Sequence, residues 1–352
     1  MRAARELLLW YDRNRRQLPW RAAPGVRPDP YHVWLSEVML QQTTAAAVAP
    51  YYVRFLARFP SIAALVLAEE TEMLAVWAGL GYYARARNLW RAARIVAANG
   101  GLPRDPAALA KLPGIGEYMA AAIAAIAFNV PIVPVDGNVA RVLARRSALA
   151  APLPDAMREI RGLARGFADD EAARARPGDF AQALFDLGAT ICTPRHPDCD
   201  RCPWRGGCAG RAAGIAATLP RRNARKPRPE RFGAHFWLAD ANGRVLLRRR
   251  PGAGLLCGMT ELPGTAWGDR PVTPGAVGAG APMAAEWRRL GVVRHGFTHF
   301  KLEITLYAAT VPQIAAPGFL RARGELSREA LPSVMRKCCR LAERALSNEL
   351  PA

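Results

Sequence analysis

Four cysteines stand as Cys192-x6-Cys199-x2-Cys202-x5-Cys208, within 17 residues. Four thiolates at that density suit a [4Fe–4S] cluster. A zinc site with four thiolate ligands is the alternative, but zinc usually takes two short CxxC knuckles, and only one short pair is present. Arg195, Arg201 and Arg205 are interleaved with the ligands, so the loop is a basic surface. The other three cysteines, Cys257, Cys338 and Cys339, lie far from this group. Clustering of this kind points to metal rather than disulfides.

Two carboxylates invite acid and anion chemistry. Glu37 lies in WLSEVMLQQT, and on a helix its near neighbours are Val33, Trp34, Leu40 and Gln41. Such a face desolvates the carboxyl and raises its pKa from about 4.3, as a general acid near neutral pH requires. A partly exposed, salt-bridged glutamate is the plainer alternative. Asp136 closes the apolar run VPIVPV and opens DGNVARVLARR. Alone it reads as a helix N-cap.

The stretch LPGIGEYMAAAIAAI has a different use. A short helix from Asp105, a Pro-Gly-x-Gly bend containing Gly114 and Gly116, and an alanine-rich helix make a helix–hairpin–helix over 105–129. The second helix offers unpaired N–H groups and the positive end of its dipole at the bend. Glycines let a phosphate reach them without side chains. An ordinary helix–helix turn is the alternative.

The elements that must position these residues follow from pattern. The 352 residues suffice for two domains. Residues 1–210 read as mostly α, with Asp29-Pro30 and Asp105-Pro106 as helix starts. Residues 211–230, RAAGIAATLPRRNARKPRPE, read as a basic Pro/Arg linker with net charge +5. Residues 231–345 read as α+β: a hairpin around Asn242-Gly243, further strands through VVRHGFTHFKLEITLYAATV, and an amphipathic closing helix. Net charge is +20 and the pI near 10.7, which favours a polyanionic partner such as nucleic acid. All but four of the basic residues are arginine, so compositional bias contributes to that balance. No apolar run is long enough to span a membrane without charge, and the amino terminus has too short an apolar centre for a secretory signal. The expectation is a cytoplasmic, nucleoid-associated protein without a membrane partner.

LPWR, SEVMLQQT, GLGYYARARNL, LPGIGEYMA, VDGNVARVL and the cysteine spacing occur in order. Together they resemble the helix–hairpin–helix DNA glycosylases that carry an iron–sulfur cluster, of the MutY adenine-specific type. The resemblance is strong over 5–208 and weaker over 231–345. It implies a six-helix barrel with a [4Fe–4S] subdomain, followed by a MutT/Nudix-like domain. It implies excision of adenine paired with 8-oxoguanine, and more weakly with guanine, from duplex DNA by a monomer, leaving an abasic site. The cluster is expected to be structural and DNA-docking, because hydrolysis needs no electron.

Residue by residue, the resemblance makes Glu37 the acid that protonates adenine N7. It makes Asp136 the anion facing an oxocarbenium-like sugar, and Asn138 the residue that positions Asp136 and water. Tyr118 occupies the slot where bifunctional relatives carry a Schiff-base lysine, which implies hydrolysis without efficient strand cleavage; packing against the second helix is its plainer reading. Gln42 and Tyr82 match residues that wedge into the duplex where the base leaves, since a stacked adenine is out of the acid's reach. Thr298, in RHGFTHF, falls where relatives commonly have serine in the loop that meets 8-oxoguanine. Glu261 and Glu286 are isolated and no Nudix carboxylate run is present, so pyrophosphohydrolase activity is not expected. Nothing in the sequence identifies a replication-clamp partner; the linker is the segment in which one would be sought.

Overall fold

The computed structural model describes residues 2–223, 227–251 and 254–347. Contacts divide the chain into two compact units, Met1–Ala68 with Arg87–Arg225, and Glu69–Ala86 with Lys226–Ala352.

The first unit is helical. Its elements are α1 (Arg2–Asn14), α2 (Pro30–Leu40), α3 (Ala45–Arg58) and α4 (Ile62–Leu67). After α5 (Glu70–Trp77), which belongs to the second unit, come α6 (Tyr83–Ala98), α7 (Pro106–Leu109), α8 (Glu117–Phe128) and α9 (Gly137–Arg146). Then follow α10 (Met157–Ala168), α11 (Glu171–Ala175) and α12 (Pro177–Asp186), which runs into a π-helical turn, Leu187–Ile191. Aspartates start α2, α7 and α9. Asp29 accepts from the amides of Tyr31 and His32 ahead of α2, Asp105 from Ala108 ahead of α7, and Asp136 from Val139 ahead of α9. Each satisfies amides that a helix start leaves unpaired. α8 is apolar on every side and buried from Met119 to Ala127, as a central helix must be. α2 is buried from Val33 to Met39 and packs against α8.

Residues 211–223 differ from the expected linker. α13 (Ala209–Ala212) and a 3-10 turn (Ala216–Thr218) continue the first unit. The Leu219 carbonyl accepts from buried Arg145 Nε at 2.8 Å, and the Leu153 amide donates to Arg221 O. Two apolar residues, Ala216 and Leu219, are buried and anchor the segment; they are too few to show a period. The expected linker's residues 224–226 lie outside the described residues.

The second unit carries a mixed sheet of β1 (Glu230–Asp240), β2 (Arg244–Arg249), β3 (Thr260–Glu261), β4 (Arg288–Gly296), β5 (Lys301–Val311) and β6 (Phe319–Ala322), in the order β3-β2-β1-β5-β4 with β6 paired to β2. β1 and β5 are parallel, in register from Glu230↔Lys301 to Asp240↔Val311; the other pairs are antiparallel. Gly243 supplies the left-handed φ of +72° at the β1–β2 turn. α14 (Pro274–Gly280) and α15 (Ser333–Ser347) complete the unit, and α15 packs on β4. Among the described residues no helix is long and apolar enough to cross a membrane.

Candidate active site

A cavity of about 750 Å³ opens in the first unit, and Glu37, Gln42, Tyr118, Asp136 and Asn138 all line it. That volume falls in the usual range for small-molecule sites, about 300–1,000 Å³. Five segments distant in sequence therefore meet: the stretch after α1, the end of α2, the first turn of α8, the start of α9 and the end of α12 with its π-helical turn.

Glu37 is 6% exposed. Burial pushes its pKa up to about 7; the Tyr118 hydrogen bond opposes the rise, the Asp136 charge adds to it, and Arg21 opposes it. The Tyr118 hydroxyl donates to Glu37 Oε2 at 3.0 Å, which leaves Oε1 as the oxygen to carry the proton. Burial and the adjacent carboxylates also hold the Tyr118 phenol well above its ordinary range, so it stays a donor.

Asp136 spends its oxygens differently. Oδ1 accepts from the Val139 amide at 2.7 Å and Oδ2 from Asn138 Nδ2 at 3.0 Å. Burial raises its pKa, while these two donors and the Arg141 charge hold the rise back. Asn138 is oriented in turn by Arg141, whose Nη2 donates to Asn138 Oδ1 at 2.8 Å and to Gly188 O at 2.7 Å, and whose Nε donates to Cys192 O at 2.8 Å. Gly188 is glycine for space: a Cβ there would stand 2.8 Å from Asn138 Cβ.

Cys192, Cys199, Cys202 and Cys208 line one small cavity of about 30 Å³, together with Ile191, Ala216 and the buried Arg145. Arg145 donates to Cys192 Sγ at 3.4 Å and to the carbonyls of Thr193 and Pro194. Asp198 also borders this cavity but accepts from the Arg201 amide. Burial and the neighbouring thiols hold Cys202 up at about 11 against the Trp204 amide, so a bound cation must displace its proton. Four soft donors around one small cavity fit an iron–sulfur cluster.

At the hairpin, Gly114 has φ +78°, and a Cβ there would stand 2.6 Å from Asn88 Cβ. Gly116 caps α8, and nothing lies within 4 Å of where its Cβ would be. The bend is closed on its inner side and open at the helix start, where an anion would sit.

Gln42 follows α2 in a left-handed conformation, φ +56°. Tyr82 and Thr298 belong to the second unit, where their hydroxyls are 3.0 Å apart. Tyr82 also has a positive φ, +51°, and its ring lies under the Arg85 guanidinium at 4.8 Å.

Several functional neighbours escape a reading of the sequence. Asp186, fully buried at the end of α12, accepts from Arg16 and from both terminal nitrogens of Arg21. Burial raises its pKa, but the Arg21 hydrogen bonds and the charges of Arg21 and Arg16 outweigh this and hold it below the ordinary value. Arg16, Trp20 and Arg21 line the cavity. Only the LPWR motif signalled this group. Arg141 and Arg145 had a signal too: two arginines four apart on one face of the helix that Asp136 opens.

Comparison with known proteins agrees with this arrangement. Residues 35–164 match the family described as "HhH-GPD superfamily base excision DNA repair protein", residues 192–208 the "iron-sulfur binding domain of endonuclease III", and residues 234–341 the "NUDIX domain". The chain is 33% identical to the mouse adenine DNA glycosylase over 407 residues, spanning 96% of this chain and 77% of that relative. It is 36% identical to the human adenine DNA glycosylase over 361 residues, which is 86% of this chain and 65% of the human one. Among solved structures, a thermostable thymine-DNA glycosylase aligns with TM-score 0.52 and 28% identity, over 60% of this chain and 95% of that one.

Proposed function

The chain belongs to the adenine DNA glycosylase family, and we propose that it hydrolyses the N-glycosidic bond of adenine placed opposite 8-oxoguanine, and more slowly opposite guanine, in duplex DNA. The observation that carries the mechanism is the pair of unlike carboxyls on one cavity: Glu37 held near pKa 7 without a cation bonded to it, and Asp136 solvated by an amide, an asparagine and a nearby guanidinium. Burial raises both carboxyls, while the Val139 amide, Asn138 and Arg141 favour the anion at Asp136, as an acid and an anion working together require.

The adenine enters the cavity extruded from the duplex. Glu37 gives its proton to the purine, at N7 by the family resemblance, and so makes the base a better leaving group. Asp136 meets the positive charge that develops on the sugar. Asn138, locked by Arg141, holds Asp136 in place and leaves a polar position for the attacking water. Among the described residues that line the cavity none is a lysine, and Tyr118 is bonded to the acid. No amine is placed to form a Schiff base, so the product is an intact strand with an abasic site. The iron–sulfur cluster, when bound, supplies a structural tie for the loop 192–208. Arg145 holds that loop against α9, and Arg141 joins it to Asn138. Gly114 and Gly116 seat a phosphate at the start of α8, and Gln42 and Tyr82 serve the opened duplex. Thr298 serves the base opposite adenine.

The test is base release from defined duplexes, with and without alkali. Adenine release from A·8-oxoguanine with strand breaks only after alkali is the expected result. The likeness to a thymine-DNA glycosylase makes T·G the informative second substrate: release of thymine with adenine untouched would overturn the proposal.

A further inference from the structure

The loop Phe297-Thr298-His299-Phe300 joins β4 to β5, closed by the Phe297 amide on Phe300 O at 2.9 Å. Here the loop rests on a ring, Trp267. The indole lies 5.8 Å from the Phe297 ring and 6.4 Å from the Phe300 ring, and those two phenyl rings are 4.8 Å apart.

Trp267 is itself fixed from several sides. Its backbone runs along β1, where Phe232 and Gly268 exchange both amide hydrogen bonds. Its Nε1–H donates to His235 Nε2 at 3.2 Å. His235 is fully buried, and its Nδ1 is 2.9 Å from Leu262 O. An indole N–H can only donate, so Nε2 must accept and Nδ1 must carry the hydrogen. Burial holds the imidazole neutral, pushing its pKa down to about 4. Arg250 lies over the indole at 3.9 Å, paired to buried Glu261.

Two glycines are cut to this shape. Neither Gly233 nor Gly264 has a positive φ, so the backbone does not demand glycine at either place. A Cβ on Gly233 would stand 2.6 Å from Trp267 Cδ1, and one on Gly264 2.5 Å from His235 Nδ1. At Gly233 the space is taken by the indole, and at Gly264 by the Ala234 carbonyl and the imidazole alike.

We infer that Trp267, clamped by His235, is a positioning residue for the 297–300 loop, and that this pair sets how well the enzyme tells 8-oxoguanine from guanine opposite adenine. The inference rests on the assignment of Thr298 to that opposite base. Trp267 acts through the loop and leaves the chemistry at Glu37 alone.

The test has two readouts on the full chain with its cluster. The first is the single-turnover rate of adenine release from A·8-oxoguanine divided by that from A·guanine. The second is hydrogen exchange in peptides covering 295–301, which needs no DNA. Trp267→Ala lowers the ratio about tenfold, the scale set by two lost ring contacts, leaves the A·guanine rate unchanged, and speeds exchange of the loop about tenfold. Trp267→Phe keeps an aromatic ring beside the loop, loses the N–H to His235 and part of the indole's contact area, and falls between Trp267→Ala and the native chain in both. Gly233→Ala leaves the indole present but displaced and moves both readouts the same way. Unchanged loop exchange in Trp267→Ala overturns the inference, as does an equal loss on both duplexes. If exchange rises in the variants but the native enzyme shows no preference for 8-oxoguanine, the positioning role stands and the assignment of the opposite base fails.

Discussion

Glu37 and Asp186 are both buried carboxyls of the first unit, and their surroundings drive them in opposite directions. Glu37 has a phenol as its bonded partner and rises to about 7. Asp186 has two guanidiniums and falls below its ordinary value although burial alone would raise it. Burial therefore does not decide what a carboxyl does; the charge of its partners does. One carboxyl holds its proton up to about neutral pH. The other keeps two cations beside the cavity and ties the segment after α1 to α12.

The largest effect should come from removing the proton while keeping the shape. Glu37→Gln lowers single-turnover adenine release by about 10²–10⁴-fold, the usual worth of a general acid, with affinity for the mismatch duplex unchanged. If release survives, Glu37 is not the acid. Asp186→Asn should strike stability instead. Removing one partner of a buried ion pair costs about 3–5 kcal/mol, because Arg21 is left buried without its counter-charge. Denaturant melts check this, and a native-like midpoint would show that the pair only balances its own desolvation.

Stability against pH sharpens the contrast further. Glu37 has a folded pKa near 7, above its unfolded value of 4.5. Its folded state holds the proton more tightly, so its contribution is full below pH 4.5 and is lost as pH rises through 7. Removing the ionisable group should therefore make Glu37→Gln more stable than the native chain above pH 7, by up to about 3 kcal/mol, with no gain near pH 4. Asp186 has the reverse sign: its folded pKa is depressed, so its contribution is present above its unfolded pKa and fades in acid. Denaturation of Glu37→Gln at pH 4 and pH 8, and of Asp186→Asn at pH 8 and well below 3.8, should give stability differences with opposite trends. Parallel trends would mean that the two carboxyls share one environment.

What could be read from the sequence divides along the same line. The burial of Glu37 was legible because its desolvating neighbours lie within one helical turn, and the meeting of the four cysteines because their spacing is itself the signal. Asp136 was legible as a cap, since its bond to the Val139 amide is local. The parallel pairing of β1 with β5, the Asp186 cluster and the Trp267–His235 clamp were not. They join residues 71, 165 to 170 and 32 positions apart, and no local period records such a meeting. The segment 211–223 failed for a related reason: its proline and arginine content outweighs two buried apolar residues whose partners lie in other elements.

The smallest effect, and the most specific, concerns the phenol that separates the two carboxyls' behaviour. Tyr118 donates to Glu37 Oε2, and a donor to a carboxylate favours the charged form and lowers its pKa. Tyr118→Phe removes that donor and keeps the ring near Phe185. The Glu37 pKa must then rise, not fall. Adenine release requires the protonated acid, so its rate declines as pH climbs through that pKa; in the variant the decline moves to higher pH, by less than about one pH unit for one hydrogen bond. Below the decline the rate should drop less than about tenfold, because the proton remains and only its orientation is loosened. A decline that moved to lower pH would mean that Tyr118 stabilises the protonated acid, and Oε2, not Oε1, would then carry the proton.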